Sequence, residues 1–120
     1  MAHILAVDDS ATMRDMVKDT LETGGYQVSL AEDGQQGVDK FRADKFDLVI
    51  ADINMPVMDG ITMISEIRKL NKEIPIITLT TEAEESMKQK GRAAGADGWI
   101  VKPFRPGQFL DIIKQILEDL

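Results

Sequence analysis

The sequence predicts an α/β fold in which five parallel strands, ordered 2-1-3-4-5, form one doubly wound sheet covered by five helices. Three observations predict it. Short apolar runs alternate with longer stretches of helical period. Four of those runs lack polar alternation, as strands covered on both faces require. Five strand-helix units fill 120 residues, about half of what a closed barrel of eight such units needs.

The first run, Ile4-Leu5-Ala6-Val7, reads as a central strand. A helix over 11–23 follows, capped by Ser10, turning Met13, Met16, Val17 and Leu21 inward and stopping at Gly24-Gly25. Tyr26-Gln27-Val28-Ser29-Leu30 alternates, which places it at an edge with one face partly wet. The second helix, over 35–43, buries Val38 and Phe41. Leu48-Val49-Ile50-Ala51 is again central, and the helix over 60–70 sets Met63, Ile64, Ile67 and Leu70 on one stripe. Pro75 suits the start of a strand, and Ile76-Ile77-Thr78-Leu79 follows it. The fourth helix, over 82–94, is the weakest: Ala83, Met87, Ala93 and Ala94 are its apolar residues, and Gly91 costs about 1 kcal/mol relative to alanine. Trp99-Ile100-Val101 reads as a further central strand. In the last helix, over 106–120, Pro106 sits in the tolerant first turn, and Phe109, Ile112, Ile113, Ile116, Leu117 and Leu120 share one face. The predicted strand order is the flavodoxin-like one.

Composition narrows the functions open to such a fold. One domain over 1–120 is expected from the length, and 43% apolar with 29% charged residues excludes disorder. Twenty-one acidic against fourteen basic residues, a net charge of −7, disfavours nucleic acid and anionic membranes as partners and favours a cation. The absence of cysteine excludes disulfides, thiolate metal sites and cysteine catalysis. The opening Met1-Ala2-His3-Ile4-Leu5 soon meets Asp8 and Asp9, so neither a secretory signal nor a membrane span is expected there. A monomer in the cytoplasm is the expectation.

Parallel strands point one way, so the residues that follow each run meet along the carboxyl edge, where open α/β sheets bind ligands. Here they are Asp8 and Asp9, Asp52, Thr80 and Thr81, then Lys102 and Pro103. Three converging carboxylates stay ionised only if a cation shares the site, and oxygen ligands favour magnesium, calcium or manganese over zinc. Counted as −3 from the acids, +1 from Lys102 and +2 from a divalent ion, the site is neutral and can receive a phosphoryl group. A carboxylate can attack the phosphorus in line. Asp52, on a central strand and flanked by the other groups, is the candidate nucleophile.

Over nearly its whole length the sequence resembles the response-regulator receiver family and, within it, the CheY-like chemotaxis regulators. That group itself exemplifies the 2-1-3-4-5 order, so the resemblance and the fold expectation are not independent. The resemblance is carried by Val7-Asp8-Asp9-Ser10, Thr12-Met13-Arg14, the stretch from Asp52-Ile53-Asn54-Met55-Pro56 to Asp59-Gly60, Thr80-Thr81-Glu82-Ala83, and the stretch from Ala94-Gly95-Ala96-Asp97 through Trp99 to Lys102-Pro103-Phe104. It implies that Asp52 accepts a phosphoryl group from a phosphohistidine of a sensor histidine kinase. It further implies that Asp9, Asp52 and the Asn54 backbone carbonyl contact magnesium directly, with manganese as a substitute, and that Asp8 assists through water. Thr80 and Lys102 would bind phosphoryl oxygens, and Lys102-Pro103 would be a cis peptide.

By the same resemblance, the output is a switch in partner binding rather than enzymatic turnover. The Thr80 hydroxyl moves to the phosphoryl group, and an aromatic residue on the fifth strand turns inward beneath the fourth helix. That aromatic position is Trp99, where the chemotaxis proteins commonly carry tyrosine. Thr81 stands where a small residue is common, while Asn54 and Glu82 match the positions that tune self-hydrolysis. Partners implied are the kinase, a phosphatase, and the flagellar motor switch, although Glu84 and Glu85 give the fourth helix a different charge from the lysines found there in that group. Two other readings share the chemistry: a phosphorelay intermediate or phosphate sink, and an aspartyl-phosphate phosphatase. Phosphatases of the haloacid-dehalogenase type place Asp-x-Asp after the first strand, unlike Asp8-Asp9-Ser10. A flavodoxin would need a hydroxyl- and glycine-rich loop where Ser10-Ala11-Thr12-Met13 stands.

Overall fold

Side chains within a buried strand alternate between its two faces, and here that alternation divides the core in two. The structure, a computed structural model, describes residues 1–118. Its strands are β1 (His3–Val7), β2 (Gln27–Ala31), β3 (Leu48–Ala51), β4 (Ile76–Thr80) and β5 (Gly98–Val101). Its helices are α1 (Ala11–Thr23), α2 (Gly34–Ala43), α3 (Gly60–Leu70), α4 (Glu85–Ala94) and α5 (Pro106–Glu118). All pairings are parallel, in the order β2-β1-β3-β4-β5 that the sequence predicts.

On one face Leu5, Val7, Val49 and Ile76 cluster with Val38 of α2 and with Met63, Ile64 and Ile67 of α3. On the other, Ile4, Ala6, Ile50 and Leu79 cluster with Val17 and Leu21 of α1 and with Phe109 and Ile113 of α5. Each buried Val, Leu, Ile, Met or Phe among these contributes about 1.5–3 kcal/mol, so both layers of helices are held by the sheet's own period-two pattern. Local chemistry sets the helix starts. Ser10, Asp33 and Asp59 each accept an N–H of the first turn of α1, α2 and α3.

Four expectations need correction. β5 is an edge strand rather than a central one: it pairs with β4 alone, and Val101 is exposed. Its short apolar run carries no signal that separates two-sided burial from one covered face. Met16, Leu70 and Ile112 are also exposed, each lying at the margin of its helix's inner stripe or at the helix end. Tyr26 precedes β2 instead of opening it. Leu120, expected on the inner face of the last helix, lies outside the described residues.

The fourth correction concerns α4, which begins at Glu85 and not at residue 82. Glu82 is used otherwise: its N–H donates to Thr80 Oγ1 at 3.2 Å, and its side chain accepts the N–H of Glu84 at 3.3 Å. This turn delays the helix, whose cap position, Glu84, makes no side-chain capping bond. Of α4, only Gly91 is buried, and Met87 and Ala94 are partly so. The weak anchoring expected from its composition is therefore present.

Candidate functional site

The ladder that ends β1 and β3 also places the acids that follow them. The Asp52 N–H donates to the Val7 carbonyl at 2.9 Å, and the Asp8 N–H donates to the Ala31 carbonyl at 3.1 Å. The two carboxylates thus leave the sheet side by side, both buried. Asp9, one residue on, is exposed. One oxygen from each of Asp8, Asp9 and Asp52 lies within 4.8 Å of the others. The convergence expected at the carboxyl edge is present.

Lys102 completes the cluster from the end of β5. Its Nζ lies 2.7 Å from Asp8 Oδ2 and 3.3 Å from Asp52 Oδ2, and its backbone N–H donates to the Thr80 carbonyl at 2.8 Å. The Lys102–Pro103 peptide is cis. The remaining oxygens are also engaged: Asp8 Oδ1 accepts the Ser10 N–H at 2.9 Å, and Asp52 Oδ1 accepts the Ile53 N–H at 2.7 Å.

Burial pushes the Asp8 carboxyl above its ordinary range, and the Asp52 charge adds to the push, against the hydrogen bonds from Lys102 and Ser10. Burial also acts against the Lys102 ammonium. There, however, the Asp8 hydrogen bond and the charges of both acids outweigh it and raise the lysine above its usual value. Lys102 is therefore charged at neutral pH, and one cation faces three acids. The surplus of two negative charges is what a divalent ion would neutralise. The donor set fits such an ion, because carboxylate oxygen suits hard cations, and oxygens around magnesium lie roughly 3–4 Å apart at a metal distance of about 2.1 Å.

The loop from β3 to α3 closes tightly on the backbone of Asp52 and Ile53. The Gly60 N–H donates to the Ile53 carbonyl at 2.8 Å, and a Cβ at Gly60 would collide with the Asp52 carbonyl. This explains glycine there more fully than turn chemistry does. Asn54 stands exposed on this loop, lining a shallow hollow of about 250 Å³ with Asp59, Thr62, Met87 and Lys90. Val57, at φ 68°, holds a left-handed backbone conformation.

Thr80 is fully buried at the end of β4. Its hydroxyl is engaged by Glu82 rather than by the acids. Trp99 stands further off: its indole Nε1 donates to the Glu82 carbonyl at 2.8 Å. Glu82 thus joins Thr80 through its N–H to Trp99 through its carbonyl. Thr81 and Pro103 are exposed beside the site.

Two further residues with a part in this arrangement were not identified as such from the sequence. Arg14 donates to the Asp8 carbonyl at 2.7 Å and so braces the backbone that carries the acid pair; its place one turn beyond the Ser10 cap is the signal that could have found it. Gly91 lies against the Trp99 ring, a tertiary contact that no local pattern announces. His3, by contrast, bonds Ser29 Oγ at 2.7 Å and the Lys45 carbonyl at 3.0 Å at the opposite edge, as a structural residue.

Comparison with known proteins agrees with this geometry. The family model described as the response regulator receiver domain matches residues 4–114. Chemotaxis protein CheY of Bacillus subtilis is 44% identical, with 98% of this chain and 99% of that protein covered. The solved structure of Vibrio cholerae chemotaxis protein CheY4 superimposes with a TM-score of 0.92 at 44% identity, covering 97% of this chain and 98% of that one. A Thermotoga maritima response regulator, TrrA, solved in complex with Mg(2+)-BeF, gives a TM-score of 0.88 at 35% identity, covering 97% of this chain and 99% of that one. With the fold, the acid cluster and these likenesses together, the chain belongs to the response regulator receiver domain family.

Proposed function

We propose that the chain is a chemotaxis-type receiver, working as one unit over residues 1–120, that takes a phosphoryl group from a histidine kinase onto Asp52. The observation that carries this reading is the Asp8, Asp9 and Asp52 cluster with the Lys102 ammonium bridging two of its members. An Asp52 carboxylate oxygen attacks phosphorus as the P–N bond of the phosphohistidine breaks, and the bonding pair leaves with the imidazole nitrogen, which takes up a proton. Lys102, already beside Asp52, meets the negative charge of the incoming oxygens. The Thr80 hydroxyl donates to another of them. Asp9, Asp52 and the Asn54 carbonyl would hold magnesium, or manganese in its place, with Asp8 acting through water, and the bound ion would neutralise phosphoryl charge. The Mg(2+)-BeF complex of the Thermotoga relative supports this choice of ion.

Phosphorylation adds negative charge and acceptor oxygens. Once Thr80 turns toward them, the Glu82 N–H loses its partner, and the change passes along the turn before α4 to Trp99. The face formed by α4, β5 and α5 then presents itself differently to a target, for which the chemotaxis likeness suggests the flagellar motor switch. A phosphatase and self-hydrolysis, tuned at Asn54, Thr81 and Glu82, would end the signal. The role is that of a signalling protein acting on its own phosphoryl group. No described helix is long and apolar enough to cross a membrane, and the proposed site of action is the cytoplasm, as a monomer.

The test is incubation with acetyl phosphate and magnesium, read by intact-mass spectrometry. One labile phosphoryl group is expected, absent with EDTA and absent in Asp52→Asn. A label that persists in Asp52→Asn would overturn the assignment of the acceptor.

A further inference from the structure

Gly91 sits in the middle of α4 and is buried there. Glycine at such a place lowers helix stability, so its presence calls for a packing reason. The reason is Trp99. A Cβ built on Gly91 would stand 2.5 Å from indole Cζ3 and 3.2 Å from Cε3, well inside the separation at which carbon atoms rest against one another. The ring is fixed at a second point, since Nε1 donates to the Glu82 carbonyl at 2.8 Å. Sliding the indole away from residue 91 would break that bond, and keeping the bond would lift α4. The apolar residues of α4 offer little else to hold it, because Met87 and Ala94 are only partly buried.

We propose that Gly91 is a positioning residue for Trp99: the bare backbone of α4 forms the seat that keeps the indole turned inward, toward Glu82. In return, the ring sets how closely α4 approaches β5. Trp99 and Gly91 are thus a matched pair, and a tryptophan at this position is compatible with an α4 that carries no side chain opposite it. Because Glu82 also donates to Thr80 Oγ1, the seat lies two hydrogen bonds from the Thr80 hydroxyl. The inference goes beyond phosphoryl transfer and is tested in protein that holds no phosphoryl group, so its failure is separable from failure of the Asp52 assignment.

Trp99 is the single tryptophan of the chain, so its fluorescence reports the seat directly. In buffer without magnesium or phosphoryl donor, Gly91→Ala should shift the emission to the red and increase acrylamide quenching. It should also lower the thermal midpoint, although alanine is the better helix former. With Trp99→Leu as background, the same Gly91→Ala change should raise the midpoint by about 4 °C, the helix-propensity gain with no ring in the way. Unchanged emission and quenching in Gly91→Ala, or a midpoint shift of one sign in both backgrounds, would overturn the proposal. Should Gly91→Ala not fold beside Trp99, the double variant with Trp99→Leu decides: folding supports the matched pair, and failure to fold overturns it.

Discussion

At the amino ends of β4 and β5, the Arg68 guanidinium donates to the Gly95 carbonyl at 2.8 and 3.0 Å, to the Ile74 carbonyl at 2.6 Å, and to Asp97 at 2.9 Å. Asp97 in turn accepts the Ile76 N–H at 2.9 Å. At the carboxyl ends of the same sheet, three acids share one lysine. One end matches charge to fixed backbone dipoles, and the other leaves two negative charges over. The difference separates groups that hold the fold from groups that await a ligand. A satisfied network has nothing to offer an incoming ion, whereas a surplus of like charge is a standing cost that binding relieves.

The comparison breaks most visibly at Arg68. Replacing it with alanine removes charged donors from the Gly95 and Ile74 carbonyls, which should cost about 2–4 kcal/mol, while the half-exposed Asp97 loses a cation at little further cost. Urea denaturation measures the loss. Magnesium affinity, measured by calorimetry on the folded variant, should stay as in the parent. A matching loss of magnesium binding would show that the two ends are not independent.

The carboxyl edge should respond to pH in the opposite sense from a stabilising ion pair. Asp8 is raised above its reference value of 3.8 by burial. Its favourable contribution is therefore present below about that pH and is lost as pH rises through the folded value, so ionised Asp8 burdens the metal-free fold at neutrality. Asp8→Asn, which resembles the protonated form, should gain stability relative to the parent as pH climbs from the acid range to 7, without magnesium. Adding magnesium should narrow that gap by stabilising the parent more. A gap that stays flat with pH and ignores magnesium would mean that Asp8 carries no such burden.

The two ends also differ in how far the sequence revealed them. The acids, Thr80 and Lys102 were legible because each directly follows an apolar run, and parallel strands bring all such positions to one edge. Arg68 was not, since a long cation on a predicted helix reads as a solvated side chain until α3, β4 and the turn after α4 are set around it. The same limit explains β5: edge or centre is decided by its neighbours, and Trp99-Ile100-Val101 looks alike in either place. Gly91 was legible as a cost, while its cause lay eight residues away in the Trp99 ring. Glu82 fits helical composition, yet bonds to Thr80 and Trp99 draw it out of α4.

The smallest test concerns the loop that follows Asp52. Val57 combines a φ of 68° with 83% exposure, so a branched side chain sits in a disfavoured conformation with little packing in return. The left-handed region costs a residue with a Cβ about 1–2 kcal/mol, and a glycine there escapes that cost while losing roughly 0.5–1 kcal/mol to the greater freedom of its unfolded chain. Val57→Gly should therefore stabilise the fold by about 0.5–1 kcal/mol, read from the urea midpoint. Strain at this end and none at the Arg68 clamp would match the division already seen in charge, because strained backbone clusters at functional loops. Destabilisation by Val57→Gly would instead mean that valine stiffens the loop carrying Asn54. In that event magnesium affinity should fall along with stability, which calorimetry on the same variant would register.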